Sequence, residues 1–229
     1  MTDKEVLHYW NYFCSLCKRL ENTKQYVDHQ VKDGELINGK VNSFEFQQII
    51  LLTAMEFENV SKAICLHINP NFHLAYGNIQ KITETILSAY PKLVETCIQT
   101  DYQQLQPLKD WKIATDSITG KKHVEGLSWW DDYSNIKHQS FWKFELANLS
   151  NAIHALASLL VLELYLMKIE LGSIELSSNK ACSYFDNPYS SPLLCANENP
   201  LPDFGEIKPP VKLYDGHGNP LVKTLKWKY

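Results

Sequence analysis

The chain has 229 residues, 45% of them hydrophobic, with 22 basic against 26 acidic residues for a net charge of −4. That supplies one ordinary globular core and excludes a disordered chain, a collagen-like repeat and, with six Cys, a disulfide scaffold. The acidic balance disfavours sequence-independent nucleic-acid binding through a broad basic surface but leaves a local site open.

Two compositions meet near Gly172. Seven of the ten prolines fall in the last 42 residues, whereas Leu127 to Leu171 contains neither Pro nor Gly. Charge divides similarly: Ile207 to Tyr229 carries five Lys and one Asp, or +4, so the remaining 206 residues sum to −8.

The first helix is expected to start after Thr2, with Glu5 three residues on as a capping-box partner. Its apolar face is Val6, Trp10, Phe13, Cys17 and Leu20, continuing at helical spacing through Val27 and Val31 until Asp33-Gly34 and Asn38-Gly39 break it. A second helix opens with the pair Asn42 and Glu45, carries Phe46, Ile49, Ile50, Thr53, Phe57, Val60 and Ile64 on one side, and ends at Asn69-Pro70. A third runs from about Asn78 to Tyr90, where Pro91 kinks or restarts it. Residues 100–127 read as irregular. A long helix then spans roughly Trp129 to Leu171 unless it bends or breaks near His138, and from Ala155 to Met167 it is apolar on nearly every side.

These elements predict an all-α, up-and-down helical bundle with a long central C-terminal helix. The stretch from Ala152 to Ile169 is apolar enough to raise the question of a membrane span, but it includes His154, Ser158 and Glu163, and a buried central helix fits better. The start of the chain lacks the basic and apolar regions of a secretory signal, so a cytoplasmic, reduced-thiol protein is expected. Beyond Gly172 the aromatic, basic, Pro-rich tail is expected to be ordered. It includes a candidate hairpin of Val211–Tyr214 with Leu221–Leu225, and packs on the bundle or on a partner subunit. Its aromatics among cations could stack on RNA, but docking of a +4 segment on a −8 body is the plainer account.

The densest polar cluster is Trp129-Trp130-Asp131-Asp132-Tyr133-Ser134-Asn135-Ile136-Lys137-His138. On a helix, His138 shares a face with Asn135, Ser134 and, a further turn back, Asp131. Imidazole is the side chain that titrates near neutral pH, so His138 with Lys137 and the carboxylates nearby could act as a general acid or base. From the residues alone the run reads more simply as a polar turn at a bundle mouth, with Trp129, Trp130, Tyr133 and Trp142 as core.

Other constellations point to packing. Cys14 and Cys17 form a CxxC on one helix, but zinc needs two more ligands; His8, Cys65, His67 and Cys97 qualify only by residue type. Glu5-x-x-His8 has the spacing used by di-iron bundles, which need a second such pair. Gly216-His217-Gly218 is a turn without the context of a phosphate loop. Glu163, inside the apolar run, needs a partner if buried, with Lys62 or Lys81 available from other helices. No cofactor or metal is expected.

The run Trp130-x-x-Tyr133-x-x-x-Lys137-His138, followed by Phe144-x-x-Ala147-Asn148-Leu149 and a Leu/Ala-rich helix ending Leu164-Tyr165-Leu166, resembles bacterial HEPN-like proteins. The resemblance covers mainly residues 128–170, with weaker support from Glu56-Phe57-Glu58-x-x-x-Lys62-Ala63-Ile64. It implies a helical bundle over residues 1–171, homodimerisation and a metal-independent endoribonuclease of the abortive-infection or toxin type. His138 would match the motif histidine, Asp131 or Asp132 the polar position, and Lys137 and Asn135 would bind phosphate or orient it. The motif is degenerate here: no Arg precedes His138 in the window, and Ser134 and Ser140 replace the usual Asn and Arg. The competing expectation is a non-catalytic interaction module, an antitoxin- or immunity-type partner that has lost the Arg.

Overall fold

A computed structural model of the chain describes residues 1–99, 104–171, 195–196 and 202–204. Among these, five α-helices dominate and strands are short, so the protein is mostly α.

Helix α1, Asp3–Asn22, begins with the expected capping box: the Thr2 hydroxyl accepts from the Glu5 amide at 3.4 Å, and Glu5 accepts from the Thr2 amide at 2.8 Å. It stops well short of Val27 and Val31. The hydroxyl of Thr23 donates to the Leu20 carbonyl at 2.6 Å and meets His29 Nε2 at 2.9 Å, so a side chain takes over a carbonyl that the next turn would have used. Val31–Lys32 (β1) and Glu35–Leu36 (β2) then form a small hairpin. Its two-residue turn, Asp33-Gly34, has φ of 53° and 82°, the paired positive values that a primed turn requires.

Helix α2, Phe44–Ile68, is capped by Ser43, whose hydroxyl accepts from the Phe46 amide at 3.1 Å, rather than by Asn42. Asn42 is used elsewhere, bridging to Asn148 and donating to the Phe144 carbonyl at 3.3 Å. Helix α3, Ile79–Ala89, starts at the Asn78 cap, and a single 3₁₀ turn, Leu93–Glu95, follows Pro91.

Strands follow, and three of the next four lie in the stretch 100–127 expected to be irregular. Ile98–Gln99 (β3) pairs antiparallel with Gln104–Leu105 (β4). Lys112–Thr115 (β5) and Lys122–Glu125 (β6) form a hairpin whose tip is tied by the Asp116 carboxylate to the Ile118 and Thr119 amides at 3.0 and 2.6 Å. Those amides hold the Asp116 carboxyl below its usual range.

The long C-terminal helix is two helices, α4 (Ser128–Gln139) and α5 (Leu149–Leu171). The break carries no Pro or Gly; turn bonds to Gln139, the Asn148 cap on the Asn151 amide at 3.0 Å and tertiary pairing hold it. The Ala147 carbonyl accepts from the Ser43 amide at 3.1 Å, and the Leu149 and Ser150 amides donate to the Val41 and Gly39 carbonyls at 3.0 and 2.9 Å. Backbone groups that would have continued the helix bond to the segment before α2 instead.

These links set the helix directions. Arg19 near the end of α1 meets Glu45 at the start of α2 at 2.8 Å, so α1 and α2 are antiparallel. Asn42 with Asn148 joins the starts of α2 and α5, and His67 with Glu170 joins their ends at 3.0 Å, so this pair runs parallel. Trp129–Ser158 and Asp132–Asn151 place α4 antiparallel to α5. Nearly every residue of α5 from Ala152 to Met167 is buried; among the described residues it is the one helix long and apolar enough to cross a membrane, and most of it lies inside the fold.

Two described pieces of the tail touch the body. Cys195–Ala196 (β7) pairs antiparallel with β3, and Asp203 accepts from the Tyr165 hydroxyl at 2.9 Å and the Lys92 amide at 3.0 Å. Phe204 packs on Tyr90 and Tyr165. The expected hairpin at 211–225 and the basic end lie outside the described residues.

Candidate functional site

Helix α4 is amphipathic by simple spacing. Trp129, Tyr133 and Ile136 are buried at i, i+4 and i+7 and anchor it to α2 and α5. The opposite face carries Asp131, Asn135 and His138, also at i, i+4 and i+7, with Ser134 beside them. Asp131, Ser134 and His138 are exposed and Asn135 is half-buried. Asn135 Nδ2 donates to the Asp131 backbone carbonyl at 3.0 Å, which fixes the amide along the helix between Asp131 and His138. Partial loss of surrounding water, reinforced by the charge of Asp132, raises the Asp131 carboxyl above its usual range.

The other two expected residues flank this face on opposite sides, about 140° apart around the helix. Asp132 turns toward α5, where its carboxylate accepts from Asn151 Nδ2 at 2.8 Å; the same nitrogen also donates to the Leu146 carbonyl at 2.8 Å. Lys137 lies over the Tyr133 ring, its ammonium 5.7 Å from the centroid. So the helix brings Asp131, Asn135 and His138 together, while Asp132 braces it and Lys137 sits to the other side.

The aromatic residues divide differently from the sequence reading. Trp129 is buried, its indole donating to Ser158 Oγ at 2.9 Å, and Trp130 packs on Phe57 and Tyr133. Trp142, expected as core, is 76% exposed, and Phe141 beside it is 82% exposed. The break after Gln139 carries both out of the packed face. Phe44 at the start of α2, 73% exposed, packs tilted on Phe144 with centroids 4.8 Å apart. This aromatic corner adjoins the C-terminal end of α4 and therefore His138. Its sequence signal was Phe141-Trp142-Lys143-Phe144, which helical periodicity absorbs into a continuous helix.

Cations matter for any phosphate chemistry. Arg19 is the chain's single arginine, and it is held by Glu45 at 2.8 Å and Gln48 at 2.7 Å. The cation beside His138 on α4 is Lys137.

Elsewhere, Cys17 is buried, which pushes its thiol well up, and among the described residues no three His, Cys, Asp or Glu side chains gather as metal ligands would. A cleft of about 960 Å³ lined by His8, Tyr9, Asn59, Lys62 and His67 opens at the end of α2 remote from α4. Glu163 is completely buried, with no hydrogen bond to either carboxylate oxygen. Lys62, one expected partner, pairs with Glu58 instead, and Lys81, the other, is exposed.

Comparison with family models, with curated proteins and with solved structures returns no match to this chain.

Proposed function

We propose that this chain is a HEPN-like, RNA-directed protein of a phage-defence or toxin–antitoxin type system, a homodimeric, cytoplasmic endoribonuclease that works without a metal. The observation that carries this reading is the solvent-facing row Asp131, Asn135 and His138 on α4, in the same segment that bears the HEPN-like motif. His138 takes the proton from a ribose 2′-hydroxyl, the oxygen attacks the adjacent phosphorus in line, and the 5′-oxygen leaves with a proton returned from the protein or water. Asn135 and Asp131 orient the imidazole. Lys137, swung off Tyr133 or supplied by the second subunit, stabilises the charge that develops on phosphate.

A second reading is favoured by one observation. With a single arginine in the sequence, and that one engaged by Glu45 and Gln48, the usual guanidinium is missing from the site. The chain would then be a non-catalytic interaction module, an antitoxin- or immunity-type partner. Incubating mixed RNA with the wild-type protein and with His138→Ala in chelator separates the two. Cleavage lost in the variant supports the enzyme; equal background-level cleavage by both supports the module.

A further inference from the structure

Exposed large aromatics cost solubility, and a cluster of them on a surface marks a place where something binds. Phe44, Phe141 and Trp142 are exposed at one end of the molecule, with the half-buried Phe144 between the core and Phe44. Phe44 packs on Phe144 with the rings tilted by 41°, and Phe141 meets Trp142 edge-on with centroids 5.0 Å apart. The rings are presented by a braced corner. The Phe144 carbonyl accepts from Asn42, the Ala147 carbonyl accepts from the Ser43 amide, and the Trp142 and Lys143 amides bond to the Gln139 carbonyl at 2.9 and 3.0 Å.

We infer that this corner is a stacking platform for single-stranded RNA, laid so that the strand's backbone passes His138. The inference rests on the RNA-directed reading above and names its substrate class. One feature selects this occupant. Aromatic and basic residues are interleaved, in the order Lys137, His138, Phe141, Trp142, Lys143, Phe144, with Lys40 exposed on the facing segment. Alternating rings and cations suit a chain that offers a base and a phosphate at every step, because every base has a face to stack and every linkage a charge to neutralise. Of the acids around the corner, Glu45 is engaged by Arg19 and Asp132 is held by Asn151, and Glu145 and Asp131 stand with Lys40, Lys137 and Lys143. A duplex presents its bases edge-on inside the stack and cannot use the rings, so a single strand is preferred.

The test is fluorescence anisotropy of the full chain with fluorescein-labelled U12 and A12 RNA, and with a blunt RNA duplex of the same length. Wild type is compared with the double variant Phe141→Ala/Trp142→Ala and with Ile118→Ala, which removes an exposed apolar side chain at the remote hairpin tip. Expected are tighter binding of the single strands than of the duplex, unchanged affinity for Ile118→Ala, and a loss of about fivefold to 150-fold for the double variant, the equivalent of one base stack. A thermal melt checks that the double variant folds; if it melts early, Phe44→Ala carries the test with the same expectation.

Wild-type binding that the aromatic variants do not weaken overturns the platform while leaving the RNA-directed reading intact. Binding weakened as expected, with no cleavage of the same RNAs on a gel, supports the platform and removes only the nuclease. Failure of the wild type to bind either single strand overturns both. Sedimentation with phosphatidylserine vesicles, lost in the double variant and unaccompanied by RNA binding, also overturns it, in favour of a membrane surface.

Discussion

Glu163 on α5 is buried completely, and the charge that acts on it is another carboxylate, Glu56 on α2. Neither oxygen of Glu163 has a hydrogen-bond partner. Burial first, and the charge of Glu56 second, push the Glu163 carboxyl well above the usual carboxylate range. Glu56 is raised as well, chiefly by burial, although Asn59 donates to it at 3.2 Å. Two carboxyls in one apolar seam are stable only if the deeper one keeps its proton.

The pH dependence follows from that proton. A group that holds its proton more tightly when folded favours the fold fully below its unfolded pKa, about 4.3 for Glu. The contribution is lost as pH rises toward the folded value. Relative to a variant without this acid, the wild type should therefore lose Tm from weakly acid to alkaline pH. Glu163→Gln, which mimics the neutral acid, should flatten that decline and raise Tm at pH 8. A wild-type decline that the substitution leaves unaltered would mean that Glu163 is not the group responsible.

The bond from Trp129 to Ser158 is a buried polar link between α4 and α5, and the Ser158 hydroxyl donates to the His154 carbonyl at 2.8 Å. Ser158→Ala strands the indole N–H in an apolar core, at a cost of about 1–3 kcal/mol by chemical denaturation. The loss should appear as a lower midpoint with an unchanged denaturant slope.

Two glycines make a matched pair. Gly126, just before α4, has φ of +86°, and a Cβ there would stand 1.9 Å from the Asp110 carbonyl oxygen. Gly120, at the hairpin tip, has φ of +67° and nothing within 4 Å. Gly120→Ala should cost only the left-handed conformation, about 1–2 kcal/mol. Gly126→Ala must move backbone as well and should cost clearly more. Equal losses in a denaturation comparison would show that the close approach at Asp110 is not a constraint.

Features set by local chemistry could be read from the sequence. The Thr2/Glu5 capping box, the ends at Asn69-Pro70 and Pro91, and the shared face of Asp131, Asn135 and His138 all depend on residues within two turns of one another. The second helix start was displaced by one position because Asn42 and Ser43 are both good caps, and only the bridge to Asn148 decides between them. The features set by distant pairing were not legible. The bend or break expected near His138 has no Pro or Gly behind it; the Asn148 side chain, which accepts from the Asn151 amide at 3.0 Å, and the bonds from 147–150 to residues 39–43 fix where α5 restarts, and Trp142 falls in the gap on the surface. Asp132 read as part of the polar site because its partner, Asn151, lies on another helix. Glu163 called for a lysine by charge logic, yet the packing of α2 against α5 supplies a second acid.

The central claim is that the α4 face carries acid–base chemistry on RNA, and the most direct measurement is the initial rate of cleavage of a single-stranded RNA in chelator by the wild type and by His138→Ala. General acid–base catalysis contributes about 10²- to 10⁴-fold, so the account predicts a loss of that size in the variant. Rates within twofold of each other, whether fast or at background, would contradict it.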